Sequence, residues 1–584
     1  MGRPATGAVH VVRVRSRHVT ASGEVREYES RLLRRSFRRS DGRVGKETLA
    51  NLSALPEAAV VAVEAVLKGA TLVDTRGAVS VARSRAHGHV ALVHAAARRL
   101  GLPGLLGPAC RERDLAYALV VSRVVAPRTK LATLAWWDDV TLGADLGVDA
   151  VPRDQVYEAM DWLTARQEHI EAELARRHLR AGGFAMFDLS SSWVEGRCCE
   201  LAARGYSRDG KKGAAQIEYG LLTDGEGRPV AVRVFEGNVA DPAAFTEAVR
   251  IVRGKFGLTE LVIVGDRGMI TAARIRALRE HPGMAWITCL RAPAIKKLAD
   301  DDGPLQMSLF DEQDLAEITH PDYPGERLIA CRNPALAAER ARKRADLLAA
   351  TETLLAKVED QVTAGRITDP DKIGVRAGKV IDRYKVAKHF ILDIGPGSFS
   401  WQRNQASIDA EAALDGIYVL RTPVPVSQLG TAAAVTAYKN LSRVERDFRT
   451  MKTADLDLRP IHHRLEDRVR GHVLICMLAA YLTWHLRAAL APLTYTDEQP
   501  PARPHPVAPA RRSASANAKA ATHASSDGHP VHSFRGLLDH LGVLTRATLT
   551  VGAATFDKIS EPTPVQRRAF ELIGAPIPIT LTLT

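Results

Sequence analysis

Cysteine is scarce: six residues in 584, none of them spaced as Cys-x-x-Cys. That excludes the paired-thiolate corners of a structural zinc site, and the scatter offers no disulfide framework. The adjacent Cys198 and Cys199 read as two buried thiols. Long apolar runs are lacking as well. The longest, Val473–Trp484, falls short of the roughly 20 residues that cross a bilayer, and no apolar stretch of signal-peptide length follows Arg3. These absences predict a reduced, cytoplasmic, soluble protein. Acidic residues are also outnumbered, 67 against 80 Lys and Arg, for a net charge of +13. A surface with that surplus attracts polyanions; a generic Arg-rich composition gives the same balance.

The chain is too long for one core; at roughly 150 residues each it holds about three or four domains. Within a basic N-terminal module over 1–85, residues 1–45 alternate: Val9, Val11 and Val12 precede Arg13, Arg15 and Arg17, the chain turns at Ala21-Ser-Gly23, and it continues through Arg34, Arg35, Arg38 and Arg39. This predicts a basic β-hairpin, a DNA-binding module whose arginines lie along phosphates; a charged edge strand that resists aggregation has the same pattern. Residues 86–180 are helical in pattern, with one long helix expected over 154–179. Residues 296–422 form an α+β insertion in which Ala341, Leu348, Thr351, Leu355, Val358 and Val362 space as a heptad seam. An amphipathic helix lying on a small sheet is the better account of that seam. Residues 496–530 are rich in Pro, Ala, Ser and His, which predicts a disordered linker, and 531–584 a C-terminal tail.

What remains, 181–295 and 423–495, carries the chemistry. Phe184-Ala-Met-Phe-Asp-Leu189 reads as a buried strand with one ionisable group, Asp188. Such a charge needs a partner or a metal. A hairpin follows, with Asp-Gly at its turn, then a helix from Pro242, then Leu261-Val-Ile-Val-Gly-Asp266, a second apolar strand delivering a second lone aspartate. Strand, hairpin, helix, strand, with an Asp on the first and last strands, is how a ribonuclease-H-like sheet begins. The fold class expected is α/β: a mixed sheet flanked by helices, interrupted by the insertion and preceded by the basic hairpin and the helical region.

The third acid lies in Val435–Lys452. Leu441, Val444, Phe448 and Met451 form one helical stripe; Tyr438, Glu445 and Lys452 recur every seven residues beside it. A solvated helix in which Glu445 pairs with Arg449 fits the same residues. Asp447 is the competing acid, about 200° round the helix from Glu445.

Taken together these residues resemble the DDE transposases of bacterial insertion sequences, in the cut-and-paste superfamily with a tyrosine, arginine, glutamate, lysine signature. Asp188, Asp266 and Glu445 match the three carboxylates. Tyr438, Glu445 and Lys452 fall in register with the signature, and Leu441 stands where its Arg belongs, with Arg443, Arg446 and Arg449 nearby. The resemblance implies DNA strand cleavage and transfer at terminal inverted repeats by a homodimer. Its metal would be two Mg²⁺ (or Mn²⁺) held by Asp188, Asp266 and Glu445, with Tyr438 and Lys452 on phosphates. Two divalent ions about 3.5–4 Å apart suit in-line phosphoryl transfer, and hard carboxylate oxygens suit Mg²⁺. Without metal, carboxylates about 4 Å apart repel by roughly 4 kcal/mol at an effective dielectric of 20. Alternatives are a catalytically inactive transposase-derived DNA-binding protein and an actin-like ATPase. The latter needs a phosphate loop, and Asp209-Gly-Lys-Lys-Gly213 and Gly395-Pro-Gly-Ser398 lack the pattern.

Overall fold

The computed structural model describes residues 7–39, 42–70, 79–239, 241–299, 303–306, 308, 310–551 and 554–583, with 241–245 as backbone only. The chain divides into two compact units, Met1–Ser84 with Arg546–Ile559, and Arg85–Thr545 with Ser560–Thr584.

In the smaller unit β1 (Ala8–Val19) and β2 (Val25–Arg38) form the expected hairpin, and β3 (Val44–Asn51) adds a third antiparallel strand. Helix Glu57–Leu67 packs on β1. β4 (Val79–Ala86) joins a second three-stranded sheet with Thr545–Val551 and Ala554–Ile559. The stretch read as a C-terminal tail is thus divided, its strands in this unit and its helices Phe534–Gly542 and Pro564–Ile573 packed on helix Gly88–Arg99 of the larger one.

The larger unit is built on one mixed sheet. Its strands are β5 (Phe184–Trp193), β6 (Gln216–Asp224), β7 (Pro229–Glu236), β8 (Leu261–Val264), β9 (Met284–Cys289), β10 (Leu315–Ile318), β11 (Arg327–Arg332) and, after a small hairpin of β12 (Phe390–Gly395) and β13 (Ser398–Arg403), β14 (Ile417–Thr422). The order is β10-β11-β14-β9-β8-β5-β6-β7. β5, β8 and β9 run parallel, while β6 and β7 on one side and β14, β11 and β10 on the other are antiparallel. Every position of β6 is buried, so both faces of the sheet are covered there.

Helix Glu466–Ala489 supplies much of that cover and packs on β7 and on helices Arg111–Val125 and Arg153–Ala165. A Cβ on Gly471 would stand 2.8 Å from Thr164 Oγ1 and 3.2 Å from Met160 O; only glycine lets the two backbones approach so closely. By length and composition this helix could cross a membrane, and 83% of its apolar window is buried inside the protein, as in a core helix. The helix expected over 154–179 is broken at Arg166 into Arg153–Ala165 and Gln167–His178.

Two boundaries differ from expectation. β10, β11 and β14, assigned from sequence to the insertion, are members of the main sheet, and Leu328, Ile329, Val419 and Leu420 are fully buried in it. The excursion proper spans 334–415, closed at its neck where Asn333 N–H donates to Gly416 O at 3.0 Å. Within it helix Pro334–Thr363 lays Leu348, Leu355, Val358 and Val362 on Ile373, Ala377, Phe390 and Phe399. The seam thus faces its own small hairpin and helix Pro370–Arg383. Ala341 is exposed, and Trp401 Nε1 donates to Glu359 Oε2 at 3.0 Å.

The stretch read as a disordered linker is ordered over 497–530 by polar staples rather than large apolar side chains. Helix Ala514–Thr522 starts where Asp497 accepts from Ser513 N–H (2.8 Å) and Oγ (2.7 Å). Buried Lys519 donates to Ala491 O at 3.0 Å and pairs with Glu498. The six cysteines are unpaired; Cys198 is exposed and Cys199 half-buried, against the expectation of two buried thiols.

Leu355 is fully buried beneath the small hairpin. Leu355→Ala is expected to cost about 2–5 kcal/mol, read as a lowered midpoint in urea denaturation; an unchanged midpoint would show that this cluster does not hold the excursion together.

Candidate active site

The parallel register of β5 and β8 places the two aspartates. Met186 is paired with Val264; two residues beyond each come Asp188 and Asp266, on strands about 4.8 Å apart. Met186, Phe187 and Leu189 are buried around Asp188, itself half-buried. Asp188 Oδ1 accepts from Leu189 N–H at 2.8 Å. Asp266 follows the end of β8, where its Oδ1 accepts from Gly268 N–H (2.9 Å) and Met269 N–H (2.7 Å) and so shapes the turn. The second oxygen of each carboxylate accepts no hydrogen bond among the described residues.

Helix Leu441–Lys452 carries Glu445 and packs on β5. Leu441, Val444, Phe448 and Met451 are buried, with the Phe448 ring edge-on to Tyr219 at 5.7 Å. The opposite face exposes Ser442, Glu445, Arg446 and Arg449. Among the described residues Glu445 makes no hydrogen bond or ion pair, so the expected alternative pairing with Arg449 is not formed. The chain Val435–Lys452 is not one helix. It breaks at Asn440 between Thr431–Lys439 and Leu441–Lys452, where Arg443 N–H reaches back three residues to Asn440 O (2.8 Å). Tyr438 therefore belongs to the first segment, Glu445 and Lys452 to the second.

The electrostatics connect the three acids. Burial raises the Asp188 carboxyl to about 7; the Leu189 N–H opposes this, the charges of Asp266 and then Glu445 add to it, and Arg208 pulls back. Burial also raises the Tyr438 hydroxyl, with Cys289 and Asp266 contributing; Tyr438 is thus a neighbour of Asp266. Asp447, the competing acid, points inward: it is buried, raised to about 7 by burial, and has Arg446, Arg487 and Asp224 around it.

The predicted cations separate into free and engaged. Arg446 and Arg449 are exposed beside Glu445. Arg443 is half-buried and donates to Gly225 O at 3.0 Å, fastening the helix to the β6–β7 turn. Lys452 donates to Asp209 Oδ1 at 2.8 Å. In the smaller unit Arg38 and Arg39 are exposed and Arg35 pairs with Glu47 at 3.5 Å. Arg34 is half-buried on β2 between His10 and Thr48. Arg15 and Arg17 face Glu29 and Glu27 directly across the hairpin, so part of the basic stripe is neutralised internally. The sequence reading does not single out Arg208, Asp209 or Arg459; for the first two a signal exists in the glycine-punctuated basic run 205–213, of which 209–213 reads only as a poor phosphate loop, and for Arg459 there is none.

Among the described residues no three His, Cys, Asp or Glu side chains stand together as a ready-made metal group. The donor chemistry nonetheless fits a hard divalent cation: Asp188 and Asp266 each keep one oxygen without a hydrogen bond, and Asp188 holds its proton partly because two further carboxylates repel its charge. Unfolded, Asp188 ionises near 3.8; folded, near 7. Between those values the native state keeps a proton that the unfolded state releases, so stability falls as pH rises through that window and the loss is complete above it. Asp447 acts in the same direction. In chelator, the melting temperature is expected to fall from pH 5 to pH 8, less steeply in Asp188→Asn and least in Asp188→Asn/Asp447→Asn; a double variant as steep as wild type would place the dependence elsewhere.

The family model described as the transposase DDE domain matches residues 196–482, which takes in Asp266 and Glu445 and begins just after Asp188. No curated protein matches the chain. Among solved structures, the cryo-EM structure of a piggyBac transposase synaptic complex with hairpin DNA is 8% identical, over 69% of this chain and 73% of that one, with a TM-score of 0.31. It is the match to the transposase DDE domain, across the two later carboxylates and their sheet, that says what this chain is similar to.

Proposed function

We propose that the chain is an insertion-sequence transposase that binds its element's terminal inverted repeats and performs metal-dependent DNA strand cleavage and strand transfer. The observation that carries this is that Asp188 on β5 and Asp266, two residues past the end of the parallel neighbour β8, both lie two residues beyond the paired Met186 and Val264, with Glu445 within electrostatic reach. The match of residues 196–482 to a transposase DDE domain supports it. The order β7-β6-β5-β8-β9, antiparallel then parallel, supports a ribonuclease-H-like core.

In this reading Asp188, Asp266 and Glu445 hold divalent cations, Mg²⁺ or Mn²⁺. Bound there, the ions would supply charge neutralisation at phosphorus and help activate the attacking hydroxyl. The chain's own groups position the strand. Arg446 and Arg449, exposed on the Glu445 face, contact phosphates. Tyr438, kept protonated beside Asp266, donates a hydrogen bond to a phosphate oxygen without adding charge. Exposed Arg38 and Arg39 contact the DNA backbone outside the cut site. Cutting two ends together calls for a homodimer on paired DNA ends, working at the nucleoid in the bacterial cytoplasm.

The deciding experiment incubates full-length protein, Mg²⁺ and DNA bearing the sequences that flank its gene, and maps strand breaks. Asp188→Asn, Asp266→Asn and Glu445→Gln are each expected to lower cleavage by on the order of 10³-fold while DNA affinity stays within a few-fold; near-normal cleavage by any one removes that residue from the assignment. Arg38→Ala/Arg39→Ala is expected to weaken binding to all sequences alike and to reduce the slope of log affinity against log salt by about two; an unchanged slope would take the hairpin off the DNA.

A further inference from the structure

The loop Gly205-Tyr-Ser-Arg-Asp-Gly-Lys-Lys-Gly213 leads from β5 towards β6 and brings Arg208 within electrostatic reach of Asp188. Arg208 N–H donates to Ser191 Oγ at 2.9 Å, its guanidinium pairs with Glu218 at 3.2 Å, and its charge reaches Asp188. The next residue, Asp209, has a side chain only 2% exposed. Its Oδ1 takes both the Lys452 ammonium (2.8 Å) and the Arg459 guanidinium, while its Oδ2 is buried without a partner. Trp193, half-buried at the end of β5, has Lys211 Nζ 4.0 Å and the Arg459 guanidinium 5.0 Å from its ring centre.

We propose that Asp209 occupies the position of a DNA phosphate, and that Lys452, Arg459 and Trp193 form a strand-binding subsite which the loop uncovers when DNA enters. The ligand class, a phosphodiester of a DNA strand, rests on the reading above. The local chemistry fits it better than it fits Asp209. Two cations converge on a single carboxylate oxygen, leaving a surplus positive charge and an orphaned buried acceptor, which folded proteins rarely tolerate without a reason. A phosphodiester offers two non-bridging oxygens, one for the ammonium and one for the guanidinium. Trp193 adds a flat face on which the neighbouring base stacks once Lys211 withdraws, in the manner of single-strand binding surfaces. The loop is equipped to leave: Gly210 and Gly213 hold left-handed φ values of +73° and +80° with nothing near their α-carbons. Lys211 and Lys212 are exposed and can follow the strand outward.

The test measures binding of a short fluorescein-labelled duplex of mixed sequence to the full chain over a salt series. Asp209→Asn is expected to tighten binding about 3- to 10-fold and to steepen the slope of log affinity against log salt by about one, as one more cation becomes available to phosphate. Adding Lys452→Gln and Arg459→Gln should cancel the gain. In the wild-type protein, which needs no variant to fold, the same duplex should speed amide exchange at 208–213 by several-fold. A natively melting Asp209→Asn with unchanged affinity and slope, or wild-type exchange that is unchanged or slowed by DNA, overturns the proposal. These readouts do not depend on cutting. A chain that cuts no DNA yet shows the gain and the faster exchange loses the nuclease reading and keeps the subsite; one that cuts with Mg²⁺ and shows neither loses the subsite alone.

Discussion

The pairing of β5 with β8 governs the rest of the larger unit. The paired Met186 and Val264 are each followed two residues on by a carboxylate, Asp188 within β5 and Asp266 just past the end of β8, close enough for the second to raise the first. At about 4 Å such a pair repels by roughly 4 kcal/mol in a medium of effective dielectric 20, and a third acid on the packed helix adds to it. The fold lowers that repulsion by letting Asp188 keep its proton near neutrality. It also ties one oxygen of each aspartate to main-chain N–H groups, which fixes orientation while leaving the other oxygen available.

Helix Leu441–Lys452 separates anchoring from chemistry by face. Its apolar stripe and Arg443 attach it to β5, Tyr219 and the β6–β7 turn, where a Cβ on Gly227 would come within 2.8 Å of Arg443 Cβ. That turn is preset by Asp224, whose Oδ1 accepts from Glu226 N–H and Arg228 N–H, so the helix docks on a rigid corner. The outer stripe of Glu445, Arg446 and Arg449 is then spared any structural duty. Asp447 shows the reverse: an acid two residues away, turned inward, is spent on the core.

The parts of this arrangement that could be read from the amino-acid string are those governed by local pattern. β5, β6, β7 and β8 announce themselves by apolar runs with an Asp-Gly turn between two of them; Asp188 and Asp266 stand out as acids in apolar company, and Glu445 by its seven-residue spacing from Tyr438 and Lys452. What could not be read is governed by partners far away in the chain. Nothing local in Leu315–Ile318 or Ile417–Thr422 says that they extend the sheet rather than a separate domain, because the long charged helix between β11 and β14 dominates the pattern there. Residues 497–530 lack large apolar groups, yet Lys519 and Ser513 order them through hydrogen bonds that composition does not report. The commitment of Lys452 to Asp209 depends on a loop more than two hundred residues earlier, and the heptad spacing that linked Tyr438 to Lys452 overlooked the tightened turn at Asn440.

The excursion 334–415 leaves and rejoins the sheet at a single point, the hydrogen bond between Asn333 and Gly416, and it carries its own apolar cluster. Gly416, at φ +77° and with its α-hydrogen side pressed against Asn333 O and Ala337, makes that closure a matter of backbone rather than of the excursion's contents. The segment behaves as an interchangeable attachment. A change of length within 334–415 therefore leaves the strand register on which the carboxylates depend without a reason to shift.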